Sequence, residues 1–252
     1  MTEDVRATLD RSTEKEKTAR KQFHELFARC PIPSNEILGN LGLFMNRQTV
    51  SRLLFMHELY QKILNVHGVV MEFGTRWGHN LALFHSFRGI YEPYNYNRKI
   101  IAFDTFEGFP SVDAKDGGSS AVSQGAYNVT ERYEEYLEQV LAYHVQESPL
   151  AHLRRHELVK GDVTKTVPKY LEQHPETMVA LAYFDLDLYE PTKRCLELLR
   201  PHLTKGTVLA FDELNHSEWP GETIALKEVF GLANCRLQRS PANPTPSYMV
   251  IE

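Results

Sequence analysis

From residue 68 onward, short and nearly unbroken apolar runs alternate with longer stretches whose apolar residues recur at helical spacing. GVVMEF (68–73), KIIAFD (99–104), HELVKGD (156–162), MVALAYFDLD (178–187) and TVLAFDE (207–213) predict strands. Between and after them, HNLALFHSF, ERYEEYLEQVLAYHV, KTVPKYLEQH, PTKRCLELLRPHL and ETIALKEVFG predict helices, with Pro191 suited to a first helical turn. CRLQ and SYMVIE complete the set as an antiparallel pair at the sheet edge. Strands that are apolar on both faces and separated by helices make a mostly parallel sheet of seven strands, covered on both sides, in an α/β fold. Ahead of this domain, residues 1–20 are charged and predict a frayed or interacting arm. Phe23, Leu26, Phe27 and Cys30 then fall at helical spacing, Pro31-Ile32-Pro33 breaks that helix, and TVSRLLFMHELYQKIL predicts a second one. The expected division is a helical arm and cap over residues 1–67 and one domain over 68–252. The simplest role for both N-terminal helices is a packing layer over the domain, and the sharper one is an oligomer arm or substrate wall.

Parallel sheets bind ligands beyond the carboxyl ends of their strands. Glu72, Asp104, Asp162, Asp185, Asp212 and Glu213 all fall at those ends. In MEFGTRWGHN (71–80), Gly74 and Gly78 allow the backbone to approach a ligand, with a helix aimed at it from about Gly78. Their spacing does not match the G-x-G-x-x-G of a dinucleotide site. An acid at Glu72 would repel a pyrophosphate and welcome a cation, while Asp104 is placed to accept from both hydroxyls of a ribose. A ribose joined to a positive group describes S-adenosylmethionine better than NAD. The plainer reading is a strand-to-helix turn with a capping acid.

Composition narrows the function further. A chain of 252 residues, 42% of them hydrophobic, suffices for one large domain. A formal charge of −5 provides no broad basic field for a phosphate backbone, so nucleic acid is not the expected partner. Cys30, Cys195 and Cys235 show neither metal-type pairing nor a disulfide framework, as expected in a reducing cytoplasm. MTEDVRATLDRSTEKEKTARK has no apolar signal core, and no run of 18 apolar residues occurs, so a soluble, unprocessed protein with no membrane partner is expected. The sequon Asn128-Val129-Thr130 accordingly predicts no glycan.

MEFGTRWGHN, IAFDTFEGFP (101–110) and FDLDLYEPTKRCLELLRPHLTKGTVLAFDE (184–213) resemble the macrocin and mycinamicin O-methyltransferase family. The resemblance covers roughly residues 68–230 in order. It implies a Rossmann-like class I fold, S-adenosylmethionine as cofactor, a divalent metal, and methylation of a sugar hydroxyl in antibiotic biosynthesis. Homo-oligomers are also implied. Carried over by position, Glu72, Gly74 and Thr75 would line the methionine part of the cofactor. Asp104 would hold the ribose, with Thr105 and Phe106 flanking the adenosine, and Gly161 and Asp162 would lie near the adenine. Asp185 would touch cofactor and metal, with Asp212 and Glu213 completing the metal set. This chain has Asp212-Glu213 where the family usually has two aspartates, and its insert YEPYNYNRK is longer than usual.

Three carboxylates converging from two adjacent strand ends also require a cation on physical grounds, because they cannot all stay ionised in one cleft without it. An oxygen-only set favours Mg²⁺, with Mn²⁺ or Ca²⁺ as substitutes. Asp187 is expected to cap the helix near Pro191 instead. A proton acceptor is still needed, and His216 and Asp185 are the two candidates. Trp219 would stack on a sugar face or simply pack. Residues 111–130, rich in Gly, Ser and Ala, predict a mobile lid, with Tyr127 and the helix ERYEEYLEQVL framing the acceptor pocket. Sugar O-methylation leads the functional readings. A catechol-type O-methyltransferase and a non-catalytic S-adenosylmethionine-binding protein are the alternatives.

Overall fold

The computed structural model describes residues 12–118 and 121–252. Seven strands form one sheet: β1 (Val69–Phe73), β2 (Ile100–Asp104), β3 (His156–Lys160), β4 (Val179–Phe184), β5 (Leu203–Phe211), β6 (Gln238–Arg239) and β7 (Ser247–Val250). Their order is β3-β2-β1-β4-β5-β7-β6. The first five are parallel, and β7 runs antiparallel between β5 and β6. The expected edge pair is therefore present, with its last strand inserted between the other two.

Helices α4 (His79–Tyr91) and α5 (Tyr133–Gln146) cover one face together with α3 (Arg47–Lys62), and α6 (Val163–Gln173), α7 (Tyr189–Leu199) and α8 (Gly221–Val229) cover the other. The alternation of apolar strand and amphipathic helix produces this directly, since each helix can bury its apolar stripe only against the sheet. α3 delivers Phe55, Met56, Leu59 and Tyr60 into the core, as a packing layer should. The first helix behaves differently. α1 (Glu14–Ala28) starts earlier than the apolar spacing implies, fixed by a capping box between Thr13 and Glu16, and it buries no residue. Phe23 and Phe27 meet Phe44, and the short α2 (Ser34–Ile37) with the 3₁₀ turn after it leaves Leu38 and Leu43 in solvent. Residues 1–11 of the expected arm lie outside the described residues. Among those described, no helix is long and apolar enough to cross a membrane.

The register of the sheet prepares the site. Phe103, Phe73, Phe184 and Phe211 pair across four adjacent strands, and their rings stack at 5.2, 5.0 and 5.0 Å. The residue after each phenylalanine is Asp104, Gly74, Asp185 or Asp212. A row of packed rings therefore forms an apolar floor, and the next residue along each strand emerges above it. The strand order reverses between β1 and β4, the switch point where a crevice opens in such sheets.

Candidate active site

A cavity of about 470 Å³ lies above that floor, within the size range of small-molecule sites. Gly74, Asp104, Thr105, Asp162, Asp185, Asp212, Glu213, Tyr127 and Trp219 line it, so most of the residues singled out from sequence come together. The structure does not bring all of them to the cavity. Glu72, Thr75, Phe106, Gly161 and His216 are not lining residues.

Each absence has a local cause. Glu72 is buried beneath the turn, where Thr75 Oγ1 donates to its Oε2 at 3.3 Å and its other oxygen has no partner. Burial pushes its pKa up to about 8, against the hydrogen bonds from Asn80 and Thr75 that lower it. The Phe106 ring joins the core under α3–α5, while its backbone, at φ 56°, points its N–H at Asp104. Gly161, at φ 136°, donates to the Asp104 carbonyl at 2.8 Å and sets the bend after β3. His216 is half-buried outside the cavity, its Nδ1 accepting from the Glu218 N–H at 3.3 Å.

The glycines of the opening turn also serve a different purpose from the one expected. A Cβ on Gly74, at φ 88°, would lie 1.8 Å from the Asp185 carbonyl oxygen. Glycine is needed there so that the ends of β1 and β4 can touch, and the cavity then opens beside that contact. A Cβ on Gly78 would strike Leu137 of α5 at 2.5 Å, so this glycine lets α5 pack against the start of α4. The expected framing of the pocket by α5 is not found, because no α5 residue lines the cavity.

Asp104 is held open as an acceptor. Backbone N–H groups of Arg76 and Phe106 donate to its two oxygens at 2.7 and 2.6 Å, aiming the remaining lone pairs at the cavity. Asp162 caps α6, accepting from Thr164 N at 2.9 Å, and lines the cavity as well.

The acidic end is arranged differently from the sequence reading. Carboxylate oxygens of Asp185, Asp187 and Glu213 lie within 4.8 Å of one another. Asp187 therefore stands inside the cluster. It adopts φ 61°, and α7 has Leu188 as its N-cap with no side-chain cap. The backbone N–H of Tyr189 is bound instead by Asp116, from the segment expected to be a lid. Asp212 lies beside the cluster with both of its oxygens already engaged. Arg52 of α3 donates to its Oδ2 at 3.0 Å, and the Tyr183 hydroxyl donates to its Oδ1. Arg52 also approaches Asp185 to 3.8 Å. Burial, then the neighbouring carboxylates, raise the pKa of Asp185 and Glu213 well above the usual range. Glu222 of α8 is fully buried behind them and accepts from Leu186 N and Glu213 N at 3.2 and 3.3 Å, tying the two acidic turns together.

Arg52 and Glu222 were missed in the sequence because each sits in a helix that reads as ordinary packing. The signal was slight: Arg52 directly precedes the apolar run Leu53-Leu54-Phe55-Met56 of α3. On the far side, Trp219, Tyr127 and Phe109 form an aromatic wall with ring centroids 5.3 to 6.4 Å apart. Trp219 thus packs and lines the cavity at once.

A methyltransferase-domain model matches residues 71–214, more than half of the chain. The chain belongs to the methyltransferase family. As such it uses S-adenosylmethionine, and the methyltransferase is similar over nearly its whole length to two solved structures. One, described as a calicheamicin methyltransferase, CalS11, is 45% identical, covers 99% of this chain and 97% of its own, and has a TM-score of 0.93. The other, an apo form of CalS11 described as a TDP-rhamnose 3′-O-methyltransferase, is 42% identical with coverages of 98% and 99% and a TM-score of 0.84. The O-methyltransferase NovP, 18% identical with coverages of 80% and 80%, shares the fold at a TM-score of 0.59. No curated protein matches the chain.

Proposed function

We propose that this methyltransferase moves the methyl group of S-adenosylmethionine to a sugar hydroxyl in antibiotic biosynthesis, on a nucleotide-linked deoxysugar or a glycosylated natural product. One observation carries the reading. The carboxylate of Asp104 and a cluster of acids open onto a single cavity, in a chain 45% identical along its length to a calicheamicin methyltransferase. Asp104 would hold the ribose, and the Glu72 turn would lie beneath the methionine end. The wall of Phe109, Tyr127 and Trp219 would seat a sugar face and exclude water.

The donors at the acidic end fit a hard divalent cation. They are all oxygens, they converge within 4.8 Å, and Glu213 Oε2 is buried without a hydrogen-bond partner. Asp185 and Glu213 belong to every arrangement of that site. Asp187 is placed to join them as the side chains stand, and Asp212 could join once Arg52 shifts. A bound Mg²⁺ would supply Lewis acidity to the acceptor hydroxyl. Asp185 is the proton acceptor we favour over His216, because it lines the cavity.

Radiolabelled S-adenosylmethionine offered with TDP-rhamnose, other nucleotide sugars, glycosides and catechols tests the reading. Transfer to a sugar supports it. Transfer to catechols alone, or binding without transfer to any acceptor, would overturn it.

Asp104→Ala should weaken S-adenosylmethionine binding in calorimetry by roughly 1–3 kcal/mol, the cost of losing a charged acceptor. Unchanged affinity would remove Asp104 from the cofactor site.

Residues 111–130 would act as the lid. Asp116 anchors the segment to the start of α7, Lys115 reaches Glu228 of α8 at 2.8 Å, and Gly125 N donates to the Phe109 carbonyl at 2.9 Å, while residues 119 and 120 lie outside the described residues. Limited proteolysis should cut within 111–130 and slow when cofactor and sugar are both present. Equal rates with and without them would leave an ordinary loop. The apolar residues that α1 and the following turn leave in solvent, Leu26, Leu38 and Leu43 among them, would be covered by a second copy of the chain. A monomer mass in light scattering would exclude that assembly.

A further inference from the structure

Among the described residues, eleven buried side-chain nitrogen and oxygen atoms have no hydrogen-bond partner, and seven of them fall in one place. They are all three guanidinium nitrogens of Arg88, both ring nitrogens of His85, Nε of Arg155 and Nδ1 of His156. His85 and Arg88 stand one turn apart on α4, while Arg155 and His156 lead into β3. The His85 and His156 rings meet edge to face at 5.2 Å. β3 runs from here toward Lys160, which pairs with Asp104, so the cluster lies at the amino ends of the strands, away from the cavity.

Its charges do not balance. Glu92 is committed to Arg98 at 2.9 Å and to the Tyr60 hydroxyl at 2.7 Å. Glu138 takes His156 Nε2 at 3.0 Å and Arg154 at 3.3 Å. His144 of α5 is the other titratable group facing His85. Arg155 uses its two terminal nitrogens on the carbonyls of Pro93 and Pro149. Arg88, 0% exposed, has no hydrogen-bond partner, and the one carboxylate that acts on it, Glu92, is already committed to Arg98 and Tyr60. A guanidinium keeps its proton at any ordinary pH, so burying one without a carboxylate of its own is costly. Burial and the cationic neighbours hold His85 well below the usual imidazole range. It is therefore neutral and can offer one N–H.

We infer that this cluster is a binding site for an occluded inorganic anion of chloride size, held chiefly by Arg88 between α4 and β3. The ligand must accept hydrogen bonds only, carry negative charge and need no path for a long side chain. A Cβ on Gly89 would lie 2.8 Å from Ser148 Oγ, so glycine there lets α4 pack closely against the turn that follows α5. The anion would offset the buried charge and join α4 to the sheet.

The full chain should melt higher in sodium chloride than in sodium gluconate at equal ionic strength, by roughly 2–4 °C and saturably. Arg88→Met, which keeps the length and removes the charge, should abolish that difference. Crystals of the unmodified protein soaked in bromide should show an anomalous peak within hydrogen-bond distance of Arg88, a readout independent of how the variant folds. A melting shift with phosphate and none with chloride would still support the anion site, with an oxyanion as its occupant. Equal melting in chloride, phosphate and gluconate with no anomalous peak, or an unaltered chloride response in Arg88→Met, overturns it.

Discussion

Asp185→Asn should lower methyl transfer by at least ~100-fold while leaving S-adenosylmethionine binding within a few-fold of the unmodified protein. The substitution keeps the shape of a side chain that faces Asp187, Glu213 and Arg52 and removes one charge from the cluster. Cofactor affinity should survive because the ribose acceptor, Asp104, is held by its own backbone donors. EDTA should abolish turnover in the same selective way, and added Mg²⁺ should restore it. Asp187→Asn now becomes informative. A helix cap could be lost with little effect on rate, but Asp187 lies within the cluster, so its loss should also raise the Mg²⁺ concentration needed for half-maximal rate. Full activity in thoroughly demetallated protein would sink the metal role and leave the acids as a proton-accepting group alone.

Gly74→Ala should cost roughly 3 kcal/mol or more of stability, because a strained positive φ and a steric overlap add. The new Cβ would lie 1.8 Å from the carbonyl oxygen of Asp185, and no rotamer change relieves a clash between two main chains. Either the β1 turn or the start of the β4 loop must move. That displaces Asp185 relative to Asp104, so both cofactor affinity and transfer should fall along with the melting temperature. Gly125→Ala provides the comparison. It has a positive φ of 78° but nothing within 4 Å of the added atom, so only the backbone strain of about 1–2 kcal/mol remains. Equal melting temperatures for the two variants would show that the close approach of β1 and β4 matters little.

Much of this protein follows from its sequence alone. Apolar runs bounded by acids marked the parallel strands and their carboxyl ends, because a strand that is apolar on both faces must be covered on both sides. Asp104, Asp162, Asp185 and Glu213 were legible as cavity residues for the same reason: each follows the last apolar residues of its strand. What the periodicity could not supply was which side chains face one another once the strands are in register. Asp212 does lie beside Asp185, but Arg52, 160 residues away in the chain, engages its carboxylate, and Asp187 joins Asp185 and Glu213 through a left-handed backbone turn. His216 follows the acidic motif closely in sequence but does not line the cavity. Gly74 looked like room for a ligand and proved to be room for Asp185's own carbonyl. Local pattern determined the elements and the strand ends, since these depend on burial along one stretch of chain. Only tertiary structure decided the partners, since a hydrogen bond or a steric contact depends on distances between strands that the order of residues does not contain.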